Sequence, residues 1–221
     1  LQNPDKNYEE FKFSVNKMSS SGALFDMDKV LDISKNVISR MTAEEVFDDV
    51  EKWAEEYDPE FASELKAAPD YAKEILAIGR GGKKPRKDIA VWSGVKDYMG
   101  FFYDKYFVPA HSLPENISAE DAVVILEKYP EIYDENDEQD VWFNKIKELA
   151  SSLGYAADMK EYKKNPENFK GSVADIAMVL RIAVTGKTVS PDTYAVMKIL
   201  GAKKVDERIK AACKSISEGG K

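Results

Sequence analysis

The sequence predicts an all-α fold, and three of its features carry that prediction. Apolar residues recur at three- and four-residue spacing along most of the chain, as they do on one face of a helix. Most of these segments begin at a residue that can cap a helix, and several end at a glycine. No segment shows the strict alternation of apolar and polar residues that is typical of a half-buried strand.

The first predicted helix begins after Thr42, which lies three residues before Glu45 in the spacing of a capping box. Its apolar face continues to Tyr57. Asp58 and Pro59 then end this helix and open a second one, so that the two form a helical hairpin. The loop 79–87 follows, with three glycines, one proline and five cations but no acid, and it interrupts the helical pattern.

The second half of the chain continues the same pattern beyond a boundary at 108–114. A short apolar stripe precedes this boundary, and five helices follow it. Their apolar positions fall within 92–102 for the stripe and within 119–126, 142–153, 173–184, 191–200 and 205–213 for the helices. Gly154 and Gly186 are the expected stops of two of them, and Ser190 and Pro191 the expected N-cap and first residue of another.

We therefore expect two consecutive helical bundles that together form an α-helical cage. The first would comprise residues 41–110 and the second residues 111–221, after an irregular lead-in over residues 1–40. Short connections and the absence of a low-complexity linker favour this division.

The composition excludes several classes of protein and site. The 221 residues carry a net charge of −8 with 43% apolar residues, and no apolar run approaches the roughly 20 residues that cross a bilayer. A single cysteine, Cys213, and a single histidine, His111, exclude a disulfide framework, a cysteine zinc cluster and the usual metal triads of histidines. We expect a cytoplasmic monomer without membrane contact, metal site or catalytic residues.

Charge is unevenly distributed, and this is the first indication of function. Residues 115–140 hold ten acids against one lysine, whereas residues 160–221 hold 13 Lys and Arg against 7 Asp and Glu. Together with the loop 79–87, the chain thus has two basic regions that could bind a phosphate backbone despite the negative total. From charge alone, Lys83, Lys84 and Lys87 are candidate phosphate contacts, and Arg86 could reach a base edge. A solvated turn is the alternative interpretation of this loop.

Two stretches resemble the carboxyl-terminal anticodon-binding region of bacterial glutamyl-tRNA synthetases. They are the run 169–186, with Arg181 and the closing Thr185-Gly186, and the run 190–201, with Ser190-Pro191 and Leu200-Gly201. The segment 21–30 is similar to the stretch that follows the ATP-site loop in this family, and Pro85-Arg86 to a turn in its intervening helical domain. The order and spacing of these motifs agree with the family over essentially the whole chain.

The resemblance implies that the two bundles grip the anticodon stem-loop of tRNA(Glu). It assigns Arg86 to the third anticodon base and Arg181 to the first, and it places Ser190, Pro191 and Thr193 where the family touches the anticodon bases. It also implies that glutamate activation, with ATP and Mg²⁺, belongs to a catalytic half that this segment lacks. Lys17 to Ser21 is similar to the ATP-site loop itself, but Ser20 stands where that loop has its second lysine.

Two alternatives remain open at this stage. The chain could be a stand-alone helical domain whose charged surfaces bind an acidic protein. It could also be the equivalent region of another class I synthetase.

Overall fold

A computed structural model describes residues 8–10, 12, 14–17, 25–109 and 112–219. These residues form eleven α-helices and several single turns of 3₁₀ helix, and within them the only β pairing is one bridge between Ala156 and Ser172. The predicted all-α class is therefore confirmed. His111 and residues 18–24 lie outside the described residues. The helices are α1 (Met27–Ile38), α2 (Ala43–Tyr57), α3 (Pro59–Ala67), α4 (Pro69–Ala77), α5 (Val95–Met99), α6 (Ala119–Lys128), α7 (Gln139–Ser152), α8 (Met159–Lys164), α9 (Val173–Thr185), α10 (Thr193–Leu200) and α11 (Ala202–Gly219).

Helices α2, α3 and α4 pack on one another, and their starts follow the local sequence. The predicted capping box is present: the Glu45 amide donates to Thr42 Oγ1 at 3.2 Å, and the Thr42 amide donates to Glu45 Oε2 at 2.8 Å. The second predicted helix is in fact two helices, because Pro69 opens α4 after a break at Ala68. The expected hairpin is thus a three-helix unit, and α1 precedes it within the lead-in.

Residues 78–91 connect α4 to the next helical turn without regular structure. Arg86 lies in the middle of this connection. Arg86 is therefore not next to a helix, because the next turn begins only at Trp92.

The remaining helices α6, α7, α9, α10 and α11 form a second group, in which α11 packs along α6 and α9. Gly154 and Gly186 end α7 and α9 in left-handed backbone conformations, as predicted. Ser190 is not the cap of α10, however. That helix begins at Thr193, two residues after the predicted start at Pro191. Its N-cap is Asp192, whose carboxylate accepts a hydrogen bond from the Ala195 amide at 3.0 Å.

Buried side chains from both groups form one continuous core, from Ile38 to Ile216. Arg208 of α11 connects the second group to the residues between the two groups, because its guanidinium donates to the Val184 carbonyl at 2.5 Å and to the Phe101 carbonyl at 2.8 Å. The division of the chain at residue 110 stays a prediction.

Candidate nucleic-acid interface

Arg86 is placed by a glycine seven residues before it. The Arg86 amide donates to the Gly79 carbonyl at 3.0 Å, which closes the loop 79–86. Gly79 has φ of +72°, and a Cβ atom there would lie 2.6 Å from Arg86 Cδ. Only glycine allows both the left-handed backbone and the close approach of the arginine side chain.

The guanidinium of Arg86 is held on two sides. Nε and Nη2 donate to the two carboxylate oxygens of Asp88 at 2.6 and 3.0 Å, and Nη2 also donates to the Ser190 carbonyl at 3.2 Å. The hydrogen bond to Asp88 raises the pKa of Arg86. The two hydrogens of Nη1 bond to no acceptor in the described part of the chain, so they are available to a ligand.

Arg181 lies on α9 and contacts the same segment. Its Nε donates to Thr193 Oγ1 at 3.3 Å. Arg181 is half-buried, and burial together with the nearby charge of Arg86 lowers its pKa, while Asp192 opposes this effect. Unlike Arg86, it forms no ion pair with any described carboxylate, although the guanidinium remains charged at neutral pH.

The segment 190–193 therefore bonds to both arginines. Within it, Ser190 Oγ donates to the Pro191 carbonyl at 2.8 Å, and Pro191 and Thr193 are buried. A cavity of about 220 Å³ opens beside Ser190, Pro191 and Asp88. A second cavity, of about 310 Å³, opens beside Arg181 and Thr193. Thr193, although buried, is among the residues that line that second cavity.

The three candidate phosphate contacts lie beside the cluster formed by Arg86, Arg181 and the segment 190–193. Lys83, Lys84 and Lys87 are exposed, and none forms an ion pair with the residues that the structure describes. They line a groove of about 730 Å³ together with Arg40. All eight sequence-predicted residues thus lie on two adjoining sites, one formed by Arg86, Arg181 and the segment 190–193, and the other by the lysines.

Three further residues of these sites were missed at the sequence level. Asp88 orients Arg86, and its position two residues after Arg86, directly behind the basic loop, was a signal that could have been used. Gly79 accommodates the Arg86 side chain, but glycines in a loop give no indication of which one is in contact. Phe143 is 38% exposed at the second cavity, with Lys147 Nζ 4.9 Å from its ring centroid. An exposed ring of this kind can stack on a base.

No other chemistry is evident in the described ranges. Within them, no three His, Cys, Asp or Glu side chains are placed to hold a metal ion together. None of the described helices is both long and apolar enough to cross a membrane.

A family model described as an anticodon-binding domain matches residues 86–213, which is more than half of the chain. The chain belongs to the anticodon-binding domain family. The match begins at Arg86 and includes Arg181 and the whole segment 190–193, whereas Lys83 and Lys84 lie outside it.

This anticodon-binding domain is also similar to several curated glutamate–tRNA ligases. It is 46% identical to that of Acetivibrio thermocellus over 209 residues, which are 95% of the chain and 38% of the relative. The ligases of Clostridium perfringens strain 13 and Sorangium cellulosum are each 42% identical, over 94% of the chain and 39% and 37% of their own lengths. The resemblance to glutamyl-tRNA synthetases is thereby confirmed. The chain spans about two fifths of the length of these relatives.

Proposed function

We propose that this chain binds the anticodon stem-loop of tRNA(Glu) and that it serves a ligase which attaches glutamate to that tRNA. The family supports the anticodon as the target, and the names of the relatives support glutamate as the amino acid. In this proposal Arg86 reads the third anticodon base and Arg181 the first. Lys83, Lys84 and Lys87 bind phosphates.

One observation carries the proposal. Arg86 and Ser190 are 104 residues apart in the chain, yet the Arg86 guanidinium bonds to the Ser190 carbonyl. Arg181 bonds to Thr193, three residues further along. Two arginines from distant elements therefore converge on one short segment, and its residues line two cavities.

This arrangement suits the bases of an RNA loop. Proteins read RNA sequence mainly on unstacked bases, whose edges accept hydrogen bonds and whose faces stack on planar side chains. A guanidinium offers both contacts at once, and the hydrogen bonds that Arg86 donates to Asp88 restrict its side chain before the base binds. Phe143 provides a stacking surface next to Arg181.

We further propose that ATP and Mg²⁺ serve the ligase reaction outside these 221 residues, and that this segment contributes binding rather than catalysis. The share of each relative that the chain spans, 37 to 39%, supports this division. The proposal includes a cytoplasmic location and a monomeric state.

The test is a filter-binding titration of the chain with tRNA(Glu) and with the same tRNA carrying a changed third anticodon base. We expect tighter binding of the unchanged tRNA, because Arg86 can pair with only one pattern of base acceptors. Arg86→Ala should remove the difference between the two tRNAs and cost about 1–3 kcal/mol of binding free energy.

Arg86→Lys is the matched control, because it keeps the charge and removes the planar fork. It should retain the salt dependence of binding and lose the discrimination between anticodons. If wild-type protein binds both tRNAs equally and binds an acidic protein more tightly than either, the chain is a protein-interaction domain and the proposal is wrong.

A further inference from the structure

The loop between α9 and α10, residues 186–192, is joined to the segment between α4 and α6 by two contacts in the described part of the chain. One is the bond from Arg86 to the Ser190 carbonyl. The proposed function does not use the other. Lys187 Nζ donates to Oδ1 and to the carbonyl oxygen of Asp97 in α5, at 2.5 Å in each case. We call this second contact the Lys187 strap.

The backbone of Lys187 is fixed to α9, the helix that carries Arg181. The Lys187 amide donates to Thr185 Oγ1 at 3.1 Å, and the Thr185 hydroxyl donates to the Arg181 carbonyl at 2.7 Å. The Gly186 amide donates to the Ile182 carbonyl at 2.8 Å and closes the helix. The strap therefore runs from the end of α9 to α5, and it is held at both ends.

The part of the loop between the two contacts has little other support. Thr188 and Val189 are exposed. Among the described residues, the Lys187 strap is the only side-chain hydrogen bond that joins residues 186–189 to the segment between α4 and α6. Open space surrounds the strap, because Lys187 and Asp97 together line three cavities of about 510, 220 and 360 Å³. Without the strap, little packing would hold this part of the loop in place.

The smallest of these cavities connects the strap to the Arg86 site. Its lining includes Lys187 and Asp97, and also Ser190 and Asp88. The last two residues are the ones that hold the Arg86 guanidinium. A displacement of the loop at Lys187 would therefore move Ser190, three residues later, and Arg86 Nη2 would lose one of its two acceptors.

We infer that Lys187 and Asp97 are positioning residues for anticodon recognition. The strap keeps the Ser190 carbonyl on Arg86, so that the guanidinium is oriented before a base binds. This inference rests on the proposed function. A side chain that is already held loses less conformational entropy on binding, and the base then meets Nη1 in one orientation. Without the strap, Asp88 alone would hold Arg86, and part of the selectivity for the anticodon would be lost.

A direct contact of Lys187 with a phosphate is the alternative role for this lysine. It fits less well, because the ammonium group is already bonded to a carboxylate that is 87% exposed. A phosphate that approached Lys187 would also meet the negative charge of Asp97, so the pair offers little net attraction.

Lys187→Met tests the inference, because it removes both bonds of the strap and leaves an unbranched side chain. Binding is measured for tRNA(Glu) and for the tRNA with a changed third anticodon base, and the ratio of the two affinities is compared with wild type. Loss of a phosphate contact changes both affinities alike and cancels in this ratio. We expect the ratio to fall by about threefold to tenfold, the effect of one lost hydrogen bond. Lys187→Arg should restore it.

Asp97→Ala separates the two roles of Lys187. It removes one acceptor of the strap and leaves the Asp97 carbonyl, so positioning predicts a smaller fall in the affinity ratio than for Lys187→Met. If Lys187 binds a phosphate instead, Asp97→Ala should tighten the binding of both tRNAs by the same factor and leave the ratio unchanged, which would overturn the inference.

A second measurement, on the free protein, does not depend on RNA. The Nη2–H signals of Arg86 in NMR spectra, assigned by their loss in Arg86→Lys, report whether the guanidinium is held. We expect their hydrogens to exchange with water faster in Lys187→Met than in wild type.

Lys204→Met is the matched control. Lys204 Nζ lies 2.8 Å from Asp104 Oδ1, and the two side chains are 31% and 76% exposed, against 33% and 87% for Lys187 and Asp97. The variant thus removes one positive charge and an ion pair of similar exposure outside both sites. Exposed ion pairs contribute little to stability, so both variants should fold like wild type. Lys204→Met should leave the affinity ratio and the Arg86 signals unchanged.

The outcomes separate the inference from the proposed function. If Lys187→Met keeps the wild-type affinity ratio and Arg86 signals while Arg86→Ala loses discrimination, the inference is overturned and the proposed function stands. If Lys187→Met weakens both tRNAs alike and flattens the salt dependence, Lys187 is a phosphate contact and the inference is overturned. If wild type shows no discrimination but Lys187→Met still speeds the exchange at Arg86, the strap positions Arg86 and the anticodon assignment is wrong.

Discussion

The loop 79–87 and the chain from residue 160 onward are both basic in sequence, but the structure uses their charges in opposite ways. In the loop, the three lysines form no ion pair with described residues. In the later region, Lys170 pairs with Asp121 at 2.7 Å and Lys204 with Asp104 at 2.8 Å. Lys187 bonds to Asp97 at 2.5 Å. A count of charges along the chain therefore overstates the positive field that the later region offers to RNA.

The difference follows from what faces each region. Lys170 and Lys187, which precede and follow α9 in the chain, and Lys204 of α11 each contact an acid from an earlier part of the chain, which neutralises them. The lysines of the loop 79–87 lie beside the end of α1, and no carboxylate is among the described residues that line this groove. Arg181 and helix α8 are exceptions within the later region, because Arg181, Lys160, Lys163 and Lys164 form no ion pair with the described residues.

The largest effect should come from Arg208, which shows that a cation of the later region can hold the fold together. Its side chain is 5% exposed and supplies the donors for two buried carbonyls. Arg208→Met would leave both carbonyls unpaired, and we expect it to lower the free energy of unfolding by about 3 kcal/mol. Urea unfolding measures this value. Lys84→Ala should change it by less than about 0.5 kcal/mol, and a loss below about 1 kcal/mol for Arg208→Met would remove the contrast between the regions.

The helix boundaries that the sequence predicted well are those that depend on neighbouring residues. Thr42 with Glu45, Gly154 and Gly186 all act within a turn of their own position. The start of α10 was misplaced because two residues that can cap a helix, Ser190 and Asp192, are only two positions apart. Ser190 Oγ bonds to the Pro191 carbonyl, which leaves the cap to Asp192. The break at Pro69 was missed because the apolar periodicity continues through it.

The candidate site could be predicted only in part. Its residues were identified from their charge and from a family resemblance. That they lie close together in the fold depends on long-range packing. The contact of Arg86 with Ser190 joins residues 104 positions apart, and no local pattern predicts it. The free or paired state of each cation is likewise set by the facing element, which the sequence does not show.

Gly79→Ala should sharpen the comparison by disturbing the loop without changing its charge. The new Cβ would lie 2.6 Å from Arg86 Cδ, so the guanidinium must move away from Asp88 and Ser190. We expect affinity for tRNA(Glu) to fall by about 1–2 kcal/mol and discrimination at the third anticodon base to be lost. Competition binding with the two tRNAs measures both.

Gly81→Ala is a closely matched control for this change. Gly81 also has φ of +72°, so alanine there carries the same backbone strain of about 1–2 kcal/mol, but no atom lies within 4 Å of the new Cβ. It should lower stability like Gly79→Ala and leave anticodon discrimination intact. Equal loss of discrimination in both variants would show that loop strain, rather than the position of Arg86, is responsible.

Lys84→Ala and Lys163→Ala compare free cations from the two regions. If the loop is the RNA-binding region, Lys84→Ala should flatten the salt dependence of tRNA binding by about 0.7, and Lys163→Ala should leave it unchanged. Both lysines are exposed and neither has an ion-pair partner among the described residues, so folding should not differ. A larger effect of Lys163→Ala would place the RNA backbone on α8 and reverse the comparison.

The smallest expected effect is on the free energy of unfolding, from a cation that is paired with an acid. A hydrogen bond from Lys204 lowers the pKa of Asp104 below its ordinary value of 3.8. The unfolded chain therefore binds the proton more readily, and the pair stabilises the fold above pH 3.8 and ceases to do so as the pH falls through the lowered pKa. Because Asp104 is 76% exposed, Asp104→Asn should cost only about 0.5 kcal/mol at pH 7 and nothing in strong acid. Urea unfolding at both pH values checks this. In the double variant with Lys204→Ala, the stability losses of the two single variants should not add, because both remove the same ion pair. Full additivity would mean that Lys204 is as free of ion pairing as the loop lysines.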